Sequence, residues 1–269
     1  MGDTKEFAAG YVRVNETQFK AGLFLLDRLQ LRPGMRVLDV GCGTGNLTAH
    51  IASLVGSEGS VVGVDPSPER LEIARELVKE LTAEGKLAVN NLTFYEGVAE
   101  DLSRFPDASF DAVFVNSTMH WVQDQPRAIR EFGRVLRPGG RVGISGGSGD
   151  FVTAQERIKA EVLSREPYRQ YPEPAPPRYL GRAEMNRLLD EAGFSGPRDL
   201  VINKIVKSVP SADAMIDWLD TSSSGKTYGG IPLELRPRAR EEMKVEWNKL
   251  LTDDGIHMDM ELLVTVAAR

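Results

Sequence analysis

The stretch VLDVGCGTGNL (37–47) carries an apolar run that ends in Asp39, followed by three glycines at alternate positions, Gly41, Gly43 and Gly45. The run predicts a buried strand, and LTAHIASLV (47–55) predicts a helix behind the turn. Glycine has no Cβ, so a turn built from it brings backbone close to a ligand. In open parallel sheets such a turn lies at the carboxyl edge, where nucleotide-like ligands bind. The spacing Asp39-x-Gly41-x-Gly43-x-Gly45 misses the dinucleotide fingerprint G-x-G-x-x-G, which argues against a nicotinamide dehydrogenase. No Walker lysine follows the turn, which excludes a P-loop.

Outward from this turn the chain alternates. A helix is predicted at about 15–30, with Phe19, Leu23 and Leu26 on one face, and MRVLDV (35–40) is the first strand. SVVGVD (60–65) is the second and ends in Asp65; Ser67-Pro68-Glu69 then opens a helix, with serine as N-cap and proline in the first turn. Strands follow at 92–95 and 110–116, a helix at 126–136, a turn through RPGG (137–140) and a fifth strand, RVGIS (141–145). Strands separated by helices imply crossover connections, hence a mostly parallel sheet covered on both faces.

After Ser145 the pattern loosens. The segment PYRQYPEPAPPRY (167–179) is too proline-rich for helix or central strand and reads as a surface connection or lid. Helix returns at 181–192, a strand at 200–209, an amphipathic stretch through Met215, Trp218 and Leu219, a helix at 233–251, and a final strand, MELLVTVAAR (260–269). There is no internal repeat. The expectation is one domain over 1–269, with a cofactor-binding core at 30–147 and a cap or substrate-binding elements from 1–29, 148–180 and 210–256.

Composition excludes several classes. A net charge of −6 argues against a general polyanion binder, so nucleic acid is not the expected partner. No apolar run is long enough for a bilayer, and MGDTKEFAAGYVR (1–13) lacks the apolar core of a secretory leader; a cytoplasmic protein is expected, with no membrane partner. Cys42 is the single cysteine, which rules out an intrachain disulfide and a cysteine-based metal site.

Taken together, VLDVGCGTG (37–45), the acidic end of the second strand, FDAVFVNSTMHWV (110–122) and RVLRPGGRVGIS (134–145) resemble the class I methyltransferases that use S-adenosylmethionine. The resemblance covers residues 35–145 and implies an α/β fold, a Rossmann-like doubly wound, mostly parallel sheet with a helical cap. It implies that Gly41, Gly43 and Gly45 hold the amino-acid part of the cofactor, that Asp65, with Pro66 behind it, accepts both ribose hydroxyls, and that Asp39 lies near the ammonium group. A carboxylate suits the ribose role because it offers lone pairs to two hydroxyl donors. Asn116, and Tyr11 and Gln18 in the N-terminal segment, resemble residues at the cofactor in relatives. One position departs from the pattern: relatives carry Gly-Asp-Ala after the third strand, whereas this chain reads Glu96-Gly97-Val98-Ala99-Glu100. The adenine contact would then fall on backbone at Val98 and Ala99, with Glu100 as acceptor.

The acceptor side is less determined. His120 and Trp121 stand just beyond the fourth strand; His120 is a candidate base, hydrogen-bond donor or packed ring, and Trp121 a pocket wall. Arg165, Arg169, Arg178 and Arg182 flank the proline-rich segment, and Arg178 is the candidate clamp for an anionic acceptor. His50 and His257 are read as structural or exposed. NSTMHWVQD (116–124), IDWLDTSSSG (216–225) and the last strand give the C-terminal half a layout similar to trans-aconitate methyltransferases and, more loosely, juvenile hormone acid methyltransferases. That resemblance implies a small-molecule substrate methylated at oxygen, a carboxylate above all. Transfer to N, S or C stays open, as does a noncatalytic S-adenosylmethionine binder; arsenite methylation fits poorly with a single cysteine.

Overall fold

The computed structural model describes residues 16–87, 91–223 and 226–269; Tyr11 lies outside them. Its sheet holds β1 (Arg36–Val40), β2 (Ser60–Asp65), β3 (Leu92–Glu96), β4 (Phe110–Asn116), β5 (Leu136–Gly147), β6 (Arg198–Val209) and β8 (Gly255–Ala268) in the order β3-β2-β1-β4-β5-β8-β6, with the short β7 (Leu251–Thr252) paired to β8. The strands β1 to β5 are mutually parallel. β8 runs antiparallel to β5 and to β6 on its other side. The order reverses between β1 and β4, and in such sheets that crevice is where ligands bind.

Both faces are covered. Helices α1 (Glu16–Leu29), α2 (Asn46–Val55) and α3 (Pro68–Ala83) lie on one side, where Leu25, Leu26, Leu29, Ile51 and Val55 pack on Val37, Phe114 and Val264. Helix α1 was expected in the cap; its leucines instead bury themselves on the sheet. The opposite face carries α4 (Gln125–Val135), with Ile129 and Phe132, and α6 (Arg182–Glu191), with Leu188 and Leu189. Within β5 the segment read as a turn, 137–140, is a loop inside the strand: pairing jumps from Phe110↔Leu136 to Ala112↔Arg141, and Gly139 takes φ +76°.

The second half stands on a long hairpin. β6 and β8 continue past the sheet edge, pairing from Arg198↔Ala267 to Val209↔Ile256. Their distal ends carry a second apolar cluster, in which Ile256 and Met258 meet α5 (Ala154–Leu163), α7 (Ala212–Ser222) and α8 (Arg236–Asn248) through Val162, Met215, Met243 and Trp247. The sequence reading missed α5. Its signal was present, because Thr153 and Glu156 form a capping box in which each side chain takes the other's backbone N–H. Among the described residues no helix is long and apolar enough to cross a membrane.

Candidate functional site

The three glycines of the turn have three different physical causes. Gly41 has φ +75°, and a Cβ there would fall 2.1 Å from Thr118 Oγ1. Gly45, at the start of α2, has φ +81°, and its Cβ would strike Ala74 at 2.8 Å, so it serves the packing of the turn on α3. Gly43, with φ +54°, has open space where its Cβ would be, the nearest atom being an Arg70 nitrogen at 4.0 Å.

Two carboxylates brace this turn. Asp65, 6% exposed, accepts the Gly43 N–H on Oδ2 and the Ser67 N–H on Oδ1, each at 2.9 Å. Ser67 Oγ in turn accepts the Arg70 N–H and caps α3, so turn and helix are fixed to one carboxylate. Asp39 is 2% exposed and accepts from the Thr48 hydroxyl at 2.7 Å. Burial pushes its carboxyl up to about 7; the Thr48 bond works against this and the neighbouring Asp65 charge adds to it.

A cavity of about 710 Å³ opens at this edge. Gln18, Gly41, Gly43, Asp65, Pro66 and Asn116 line it from the sheet edge and α1. His120, Trp121, Phe151, Tyr179, Trp218 and Lys226 line it from the 119–121 turn and the second half of the chain. Buried polar atoms are normally hydrogen-bonded. Here Gln18 Oε1, Asn116 Oδ1, His120 Nδ1 and Trp218 Nε1 are buried without a partner, and all four residues line this one cavity. Such a concentration marks a site for a ligand with polar groups.

His120 stacks on Tyr179 at 5.1 Å between ring centroids and packs against Trp121 at 4.8 Å. Burial, with a smaller push from the Lys226 charge, brings its pKa down to about 4. The ring is therefore neutral near pH 7, a hydrogen-bonding group and a poor base. Lys226 Nζ sits 4.2 Å from the Trp121 ring centroid, a cation–π contact between the second half of the chain and the 119–121 turn.

Other candidates lie away from the cavity. Asp39 and Gly45 stand behind the turn. Val98 is 44% exposed, whereas Ala99 is buried in the sheet's core. Glu100 accepts the Gln123 N–H at 2.9 Å and so braces the loop after the 119–121 turn. The Arg178 guanidinium binds Gln125 and Glu184, while its backbone N–H donates to the His120 carbonyl at 2.9 Å. Arg165 pairs with Glu161, Glu242 and Glu246, Arg169 with Glu166, and Arg182 binds the Leu200 carbonyl. His50 packs edge-on against Phe19, and His257 bonds Ser208 and Asp254.

Sequence reasoning missed Thr48, Thr118, Tyr179 and Lys226, and left Trp218 as a helix-face residue. Thr118, Tyr179, Trp218 and Lys226 reach the site through the crossing of distant segments, which no local pattern announces.

Residues 38–144 match the family model described as a methyltransferase domain. The ubiquinone/menaquinone biosynthesis C-methyltransferase UbiE of Vibrio campbellii is 37% identical over 119 residues, 44% of this chain and 44% of that protein. The structure of an arsenic(III) S-adenosylmethionine methyltransferase from Chlamydomonas reinhardtii superposes with a TM-score of 0.55 at 28% identity, over 87% of this chain and 63% of that one. Residues 38–144 thus carry a methyltransferase domain. The fold extends beyond the matched stretch: YcgJ of Bacillus subtilis, 18% identical, superposes with a TM-score of 0.65 over 93% of this chain and 98% of its own. The chain spans less than half the length of the UbiE relative it matches.

Proposed function

We propose that the chain is an S-adenosylmethionine-dependent methyltransferase that esterifies a small molecule, transferring the methyl group to a carboxylate oxygen. Gln18, Gly41, Gly43, Asp65 and Asn116 would hold the cofactor, and the 119–121 turn with a cap formed by 148–180 and 210–256 would hold the acceptor. The residues fit the cofactor: Asp65 is a preformed acceptor for a pair of hydroxyls, and the unpartnered Gln18 Oε1 and Asn116 Oδ1 are acceptors for an ammonium. Asp39 would act through its charge from behind the turn. Bound S-adenosylmethionine supplies an electrophilic methyl group on a sulfonium.

The protein's part is to align the acceptor with that methyl group and to exclude water. A phenol, alcohol or protonated amine needs a base, whereas a carboxylate does not. The observation that carries the reading is His120, held neutral by burial at a pKa of about 4 and thus unsuited to take a proton. Around it stand a cation, Lys226, and an unpartnered donor, the Trp218 indole N–H, both suited to a carboxylate. Arsenite is disfavoured because Cys42 is buried and its thiol is pushed well up, away from the thiolate that binds arsenic.

A second reading is C-methylation, which the UbiE name states for that relative, here of an aromatic ring; the aromatic walls of the cavity favour it. A matched set of aryl carboxylic acid, primary amide and phenol separates the two. Methylation of the acid alone is expected, and preferred methylation of the phenol at a ring carbon moves the function to the second reading.

A further inference from the structure

Lys226, the cation at the rim of the cavity, is an exposed residue on a short turn, Lys226–Tyr228, that follows α7. A lysine side chain carries much rotamer freedom, so a defined place over the Trp121 ring needs a fixed starting point. Its neighbours supply part of it. Thr227 and Tyr228 are buried, and Tyr228 belongs to the second apolar cluster.

The rest comes from Lys159 on α5. Its Nζ donates to the Lys226 carbonyl at 3.0 Å and to Glu173 Oε2 at 2.6 Å. The Lys159 and Glu173 side chains are 21% and 14% exposed, so solvent ions screen this pair less than a surface pair. One ammonium thus ties together three segments distant in the chain: α5, the proline-rich segment and the turn after α7. Their backbones also meet closely, because a Cβ at Gly230 would strike the Pro172 carbonyl oxygen. Neither Lys159 nor Glu173 lines the cavity. Glu173 is committed to Lys159, and among the described residues no carboxylate pairs with Lys226, so the Lys226 charge is left to the cavity it lines.

We infer that Lys159 is a positioning residue for acceptor binding: by holding the Lys226 carbonyl it sets the Lys226 ammonium over Trp121, where an acceptor carboxylate docks. This rests on the proposed recognition of a carboxylate by Lys226 and adds the residue that fixes it in place.

The test is the indole N–H resonance of Trp121 in two-dimensional NMR of the full chain. There are three tryptophans, and Trp121→Phe identifies the signal by its loss. Lys226→Met removes the cation above the ring and gives the resonance of an uncovered Trp121. Lys159→Met is expected to move the signal most of the way to that position, and to move it no further in a Lys226→Met background. Lys159→Arg, which keeps the charge and the donors, should hold it at the parent position. Glu173→Gln, which leaves Lys159 an acceptor and removes only the charge, should give a smaller shift in the same direction, and it decides the matter if Lys159→Met does not fold. A signal that stays in place in these variants, or that moves equally with and without Lys226, overturns the assignment.

Calorimetry with phenylacetate and phenylacetamide, on the chain saturated with S-adenosylhomocysteine, reads the consequence. Lys159→Met should weaken the acid about two- to fivefold and leave the amide as in the parent, a split that general loosening of the cap does not produce. An acid affinity unchanged by Lys159→Met, in a parent that prefers the acid, overturns the role in acceptor binding. Failure of the carboxylate reading has a different signature: the parent binds the acid no tighter than the amide, while the Trp121 signal still moves in Lys159→Met.

Discussion

Asp65 Oδ2 accepts the Gly43 N–H at 2.9 Å, so the carboxylate ending β2 is tied to the middle of the turn that ends β1. Its other oxygen holds Ser67 at the start of α3. Asp65 therefore shapes the site and, in the proposed role, also binds the cofactor. A hydrogen bond to a charged group contributes about 1.5–3 kcal/mol. Asp65→Ala is expected to weaken S-adenosylhomocysteine binding roughly 10- to 100-fold, with Asp65→Asn in between. Calorimetry measures this, and affinities within twofold of the parent would contradict the role.

Gly41 faces two separate penalties on substitution. A non-glycine residue at φ +75° costs about 1–2 kcal/mol, and the new Cβ also meets Thr118. Gly41→Ala should lower the melting temperature and the cofactor affinity together. In a Thr118→Gly background the same change should lose only the backbone part. Equal losses in both backgrounds would show that the Thr118 contact is not what keeps this position glycine.

The pH dependence of stability contains two opposed contributions. Asp39 rises from 3.8 to about 7 on folding, so between these values the native state holds a proton that the unfolded chain has lost, and stability falls as pH rises. His120 falls from 6.5 to about 4, so the unfolded chain holds the extra proton in that window, and stability rises with pH. Each contributes about 1.4 kcal/mol per pH unit, and from about pH 4 to 6.5 they offset one another. Asp39→Asn is expected to leave stability rising with pH across this window, and His120→Gln to leave it falling until about pH 7. Denaturant titrations at several pH values read both slopes.

What was legible in the sequence follows from what is local. The runs 35–40, 60–65 and 110–116 are strands buried on both faces, and their turns carry glycine, serine and proline for reasons of backbone geometry, so the sheet and the Asp39-to-Asp65 unit could be placed. The turn expected at 137–140 lies inside β5, which absorbs it by a shift in pairing that no single segment reveals. Arg178 was assigned to the acceptor because it flanks the proline-rich segment, and Glu100 to the adenine because of its place after the third strand. Each bonds a protein partner contributed by a distant segment, which neither local pattern announces. Lys226 reaches Trp121 only because the β6–β8 hairpin carries α7 and its following turn back over the sheet edge.

His120 gives the sharpest kinetic contrast. A general base contributes about 100- to 10,000-fold to a rate, whereas a neutral hydrogen-bonding ring is replaced with little loss by a side-chain amide. His120→Gln is expected to keep kcat within about tenfold, and the parent enzyme's kcat should show no ionisation near pH 6.5. A loss of three orders of magnitude, or a pH limb at 6.5, would restore His120 as a base.

Lys226→Met tests the countercharge. KM for an acid substrate is expected to rise about two- to fivefold, the loss for an exposed ion pair being up to about 1 kcal/mol, while kcat changes little. An unchanged KM would remove Lys226 from acceptor recognition.

The most direct measurement is transfer of a labelled methyl group from S-adenosylmethionine into a small-molecule extract, a protein fraction and RNA, followed by mild base. Carboxylate esterification predicts label in the small molecules that base releases as methanol. Label that resists base, or that appears only in protein or RNA, would contradict it.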